Sequence, residues 1–267
     1  MADLKGTVFE EVTLIFFHII AIIAIFIVFR KDKVVLAEES VKDAKREWIF
    51  SFIWFWCYFV LAMINHALKL DMVNEVTNWL LFVLIPLLAV AHIRKENWKE
   101  ALKSIGIKRF DKKTGIKILL VCFVYICVIF LIFSLGEETQ DIFANMPKIM
   151  AGIPLFMGLM ILTAGFTEEF FFRGILQRSL INIWKRPYIA ILVTGIFFAL
   201  YHFPFAYYLW EESAGSVVNS FKTIIEHVAA GFMLGLIYYR SNKNLWSSVI
   251  MHALTNAVIM AIGVVIG

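Results

Sequence analysis

The sequence predicts an all-α integral membrane protein, a bundle of about eight transmembrane helices around an intramembrane cavity. Three observations predict it. First, 61% of the 267 residues are hydrophobic and only 17% charged, with a mean hydropathy of +0.81. Soluble domains are nearer half apolar and about a quarter charged. Second, the apolar residues fall in long runs, of the order of the roughly 17–25 residues that a membrane-crossing helix needs. Third, lysine and arginine alternate between the connections of those runs. Helices satisfy their own backbone in lipid, and the length of the continuous runs excludes a transmembrane barrel.

The runs are 8–29, 48–68, 76–93, 115–136, 149–171, 188–203, 221–239 and 245–266. Residues 1–267 read as a single polytopic membrane domain, since length alone gives no reason to divide them. Before the first run, Met-Ala-Asp-Leu-Lys with Glu10 and Glu11 lacks the basic n-region and cleavage site of a signal peptide. Residues 38–47 read as a charged extension of the second span into water. Residues 96–105 put Trp98, Leu102 and Ile105 on one helical face and Lys99, Glu100 and Lys103 elsewhere. That suits a short helix at the membrane interface, or an ordinary basic loop. The fifth run carries a charged cluster and the sixth is short. Residues 203–220 are aromatic and acidic, with Trp210, Glu211 and Glu212 among them. They read as an interfacial aromatic belt or as a cover over a site. Cys57, Cys122 and Cys127 lie in apolar runs, so neither a disulfide framework nor a zinc motif is indicated. With no Gly-rich phosphate loop and the basic residues in loops, nucleotide and nucleic-acid readings fall away. The lipid bilayer is the expected surrounding partner.

After runs one, three, five and seven come six, nine, three and two Lys and Arg, the nine including Lys117 in the first turn of the next run. The opposite side holds Lys5, Lys69, Lys148 and Lys222, and Arg173 completes the 25. The positive-inside bias therefore puts both termini outside and the loops 30–47 and 94–114 in the cytoplasm.

Charge at membrane depth is costly and marks pairing or function. In Thr167-Glu168-Glu169-Phe170-Phe171-Phe172-Arg173, a helix stands Glu169 four residues before Arg173, the favourable order for an ion pair. Glu168, about 100° round the helix, is left free for chemistry. Three further elements are polar. The sixth run ends Phe198-Ala-Leu-Tyr-His202. The eighth has His252 and Asn256 at i,i+4. The seventh has Glu226-His227 near its outer end, then Gly231 and Gly235. Gly231 and Gly235 read as a close helix approach, and Glu226-His227 as structural or water-exposed. His18, His66 and His92 carry no partner pattern. From the ends expected to be cytoplasmic, His252 lies about 10 Å, Asn256 about 16 Å and His202 about 20 Å deep. With Glu168 late in an inward-running span, Glu168, His202, His252 and Asn256 can converge in the inner half of the bilayer. A carboxylate and an imidazole can activate water; a second imidazole and a carboxamide can stabilise an oxyanion.

These residues, in this order, resemble the CAAX protease and bacteriocin-processing (CPBP/Abi) family. Its signature is Glu-Glu-x-x-x-Arg, Phe-x-x-x-His and His-x-x-x-Asn. Here it is Glu168-Glu169-x-x-x-Arg173, Phe198-x-x-x-His202 and His252-x-x-x-Asn256, within a family core of about 149–260. The resemblance implies eight transmembrane helices around a cavity open to the cytoplasm or inner leaflet, and endoproteolysis of a peptide or protein tail, lipidated or not. It implies Glu168, His202, His252 and Asn256 as catalytic, with Glu169, Arg173 and Phe198 in support. Members are similar to the eukaryotic enzyme that removes the last three residues of prenylated CAAX proteins. Bacterial relatives are linked to peptide processing or export and bacteriocin self-immunity, and the chain looks more like these, in a bacterial plasma membrane. No cofactor is expected. The alternatives are a zinc protease with Glu168, His202 and His252 as ligands, though His-Glu-x-x-His is missing, and a non-catalytic immunity or regulatory partner. A transporter is weaker, for want of discontinuous helices repeated between two halves.

Overall fold

The computed structural model describes residues 3–32, 34, 40–70, 72–133 and 139–266. Residues 38–39 of the expected charged extension and 134–136 at the end of the fourth run lie outside them. The helices are α1 (Asp3–Val28), α2 (Val41–Ala67), α3 (Glu75–Arg94), α4 (Trp98–Ile105), α5 (Lys112–Phe133) and α6 (Thr139–Met160). They continue with α7 (166–184), α8 (Pro187–Tyr208), α9 (Val217–Ile224), α10 (Glu226–Arg240) and α11 (Leu245–Ile266). Among the described residues, seven helical stretches are long and apolar enough to cross a membrane, and Leu14–Val28 of α1 adds a shorter apolar one. The protein is an all-α integral membrane bundle. α11 packs along α6, α8 against α10, and α1 against both α5 and α10.

Local chemistry sets the ends. Ser40 caps α2, its hydroxyl accepting from the Asp43 N–H at 3.4 Å. Before α5, Asp111 accepts from the Thr114 hydroxyl at 2.6 Å and the Thr114 N–H at 2.9 Å. Those bonds hold its carboxyl below the usual carboxylate range. In α3 a π turn spans Leu80–Leu84 just ahead of Pro86, which has no N–H for the ladder.

α4 forms, with a reciprocal Asn97–Glu100 capping box and Gly106 in the left-handed conformation after it. Its buried face is Ala101 and Ile105, whereas Trp98 is exposed. It packs against Phe170, Ile175, Tyr238, Leu245 and Val249. A Cβ on Gly174 would collide with the Ile105 side chain, so glycine at 174 lets α4 seat under α7. The turn between α10 and α11 is held on the same side, the Leu245 N–H donating to the Gly106 carbonyl at 2.9 Å. Glu47, expected in water, is fully buried. It pairs with Arg94 and, at 2.8 Å, with Arg178, which also donates to the Ser104 hydroxyl at 3.0 Å. This cluster ties α2, α3, α4 and α7 together and closes the basic-loop end of the bundle.

Candidate active site

The segment after α6 is helical but irregular. Two π-helical stretches, Ile161–Gly165 and Phe170–Gln177, flank the single α turn Phe166–Glu169. The first contains a kink at Thr163, with φ −103° and ψ −107°. Single π turns inside α-helices mark functional sites often enough to draw notice. Here they set the direction of the two acids.

Glu169 and Arg173 form the i,i+4 ion pair, Oε2 to Nε at 3.1 Å, both fully buried. The Glu169 carboxylate does more than the sequence indicated. Its Oε1 also accepts from His252 Nδ1 at 3.0 Å. Arg173 donates to the Gly231 carbonyl at 3.3 Å, and its guanidinium lies 4.4 Å from the centre of the Phe198 ring. Gly231 does provide a close approach, since a Cβ there would come within 2.7 Å of the Gly195 Cα. Its carbonyl is in addition part of the Arg173 cradle. Phe198 joins the elements: its carbonyl accepts from His202 Nδ1 at 2.8 Å, and its ring meets those of His202 at 4.9 Å and His252 at 5.7 Å.

Glu168 is only 6% exposed. Its Oε2 has no hydrogen-bond partner, and His252 Nε2 is 3.9 Å away, beyond hydrogen-bond range. A buried carboxylate oxygen left unpaired calls for an explanation. Glu168, His202, His252 and Asn256 all line one cavity of about 480 Å³, within the usual size of ligand pockets of about 300–1,000 Å³.

Glu168 lies farther from the end of its helix than the run boundaries indicated. The cavity extends to Trp210, Glu212, Thr223 and Glu226, at the end of the bundle opposite the Lys/Arg-rich loops. The fifth run was expected to stop near 171, but the helix continues to Trp184, putting Glu168 about 24 Å along the chain axis from that end. The reason is that Gln177 and Arg178 in the extension find partners inside the protein. Gln177 donates to the Gly235 carbonyl at 2.9 Å and Arg178 pairs with Glu47.

Two residues of the cavity wall, His227 and His18, were given no part in the site by the sequence reading. His227 lines the cavity, its ring 4.1 Å from that of His202 and stacked on Trp210 at 5.6 Å. Its Nδ1 is 3.1 Å from Glu226 Oε1 but not aligned for a hydrogen bond. His18 of α1 also lines the cavity. The Glu226-His227 pair was visible as a signal near the end of its span; His18 carried none, because its neighbours come from distant helices. Among the described residues, no group of three or more His, Cys, Asp or Glu could hold a metal ion.

Neither a curated protein nor a solved structure matches the chain. Residues 150–258 match the family model described as Type II CAAX prenyl endopeptidase Rce1-like. That segment holds Glu168, Glu169, Arg173, Phe198, His202, His252 and Asn256, and over it the chain is similar to the CAAX protease and bacteriocin-processing family.

Proposed function

We propose that this protein is an intramembrane endopeptidase of the glutamate type, hydrolysing a peptide or a protein tail held in the cavity. The observation that carries this reading is the unpaired Oε2 of the buried Glu168, facing a cavity shared with two imidazoles and a carboxamide. A carbonyl can only accept, so His202 Nδ1 holds the hydrogen in its bond to Phe198. In the neutral ring Nε2 is then bare and can accept from water. Glu168, helped by His202, takes a proton from water as its oxygen attacks the peptide carbonyl carbon. The carbonyl electron pair moves to oxygen. Asn256 donates to that oxyanion, as does His252 through Nε2–H when its ring is doubly protonated. Collapse breaks the C–N bond, and Glu168 returns the proton to the leaving amine. One water is consumed for each bond cut.

The zinc reading asks Glu168, His202 and His252 to come together as ligands. Among the described residues no three His, Cys, Asp or Glu are grouped so as to hold a metal ion, which favours the reading without one. Purified protein in detergent, exhaustively chelated and checked by elemental analysis, is expected to cleave a peptide at full rate with negligible metal. Activity lost on chelation and restored by stoichiometric zinc would overturn the glutamate mechanism. A non-catalytic partner that keeps the motif for packing would cleave nothing in this assay.

The proposed setting is a bacterial plasma membrane with both termini outside, on the asymmetry of lysine and arginine. The cavity end with Trp210 and Glu212 then faces outward, not to the cytoplasm. In a background lacking Cys57, Cys122 and Cys127, Glu212→Cys on intact cells should react with an impermeant thiol reagent and Lys103→Cys should not. The reverse pattern would invert the bundle.

A further inference from the structure

The described residues that line the cavity include three carboxylates, Glu168, Glu212 and Glu226, and neither lysine nor arginine. The nearest buried guanidinium, Arg173, is already engaged by Glu169 and the Gly231 carbonyl. Glu212 is exposed at the mouth and Glu226 half-buried beside His227. Trp210, stacked on His227, adds an indole to the same wall. A second observation points to a ligand here. His18 is only 2% exposed, it lines the cavity, and its Nε2 has no hydrogen-bond partner. A buried polar group left unpaired carries a desolvation penalty that a bound group can relieve.

We propose that the cavity takes a peptide segment with a basic side chain within about three residues of the scissile bond, and refuses a free C-terminal carboxylate there. Three extended residues span at most about 10 Å. A tail cut three residues from its end would therefore bring its carboxylate beside these acids, with no lysine or arginine among the described lining residues to receive it. Like charges facing each other in a desolvated site are strongly disfavoured. An ammonium or guanidinium would instead meet two carboxylates and an aromatic face. The inference rests on the peptide reading above and separates this protein from one that trims free carboxyl tails.

The test uses purified full-length protein and C-terminally amidated peptides identical except for one central Lys, Gln or Glu, plus the Gln peptide as free acid. Binding is measured on the Glu168→Gln protein and cleavage on the unaltered one. The Lys peptide should bind about tenfold or more tighter than the Glu peptide, as expected for charge complementarity against like-charge contact. The gap should narrow with added salt. The Gln amide should bind better than its free acid. Glu212→Gln should shrink the Lys advantage, and Glu212→Gln with Glu226→Gln should erase it. Preference for Lys in binding without any cleavage would uphold the inference and sink the protease reading. Cleavage with no charge preference, or with a preference for the free acid, would overturn the inference and leave the protease reading standing. Absence of binding by every peptide would overturn the inference too.

Discussion

Glu168→Gln is expected to abolish peptide cleavage and to leave the protein folded. The amide fills the same space but has no basic oxygen to take a proton from water, and loss of a general base costs about 10²–10⁴ in rate. Folding should tolerate the change because Glu168 Oε2 has no hydrogen-bond partner to lose. The contrast with Asn256→Ala sharpens the result. Removing one oxyanion donor costs about 10²–10³, so that variant should retain a slow, measurable rate where Glu168→Gln shows none. His202→Ala and His252→Ala should also abolish cleavage. The readouts are single-turnover cleavage in detergent and the thermal melt. A Glu168→Gln protein retaining more than about a tenth of the rate would remove Glu168 from the general-base role.

The order of helices and four residues of the cavity wall, Glu168, His202, His252 and Asn256, were legible in the sequence for a physical reason. Apolar run length and isolated intramembrane charge are both properties of local sequence, and lipid enforces them. What was not legible depends on tertiary partners. Arg173, Gln177 and Arg178 look like the boundary of a span when read alone. They are interior because Gly231, Gly235 and Glu47, from other helices, satisfy them. That hidden satisfaction lengthens the helix to Trp184 and moves Glu168 away from the basic-loop end. The π stretches on either side of Phe166–Glu169 are equally invisible to a 3.6-residue periodicity. His18 and His227 reach the cavity from opposite ends of the chain. The second partner of Glu169 was missed because an i,i+4 argument stops at Arg173, whereas the bond to His252 spans 83 residues.

That second partner makes Glu169 the most sensitive position for the fold and the site together. Glu169→Ala strands the Arg173 guanidinium among Phe198 and the Gly231 carbonyl, where water cannot replace the lost acid. Breaking a buried pair by removing one partner costs about 3–5 kcal/mol, so yield and melting temperature should fall far more than for Glu168→Gln. Activity should fall as well, because His252 Nδ1 loses the oxygen that orients its ring. A double variant separates the two effects. Replacing a buried pair by apolar residues of similar volume is often neutral or stabilising. Glu169→Leu with Arg173→Met should therefore recover most of the stability lost in Glu169→Ala. It should not recover cleavage, since leucine cannot accept from His252. Melting curves and cleavage rates on the same preparations decide the matter. If the double variant regains activity along with stability, Glu169 serves only to balance Arg173, and the His252 bond has no part in the chemistry. If Glu169→Ala melts like the unaltered protein, the ion pair does not hold this end of the site at all.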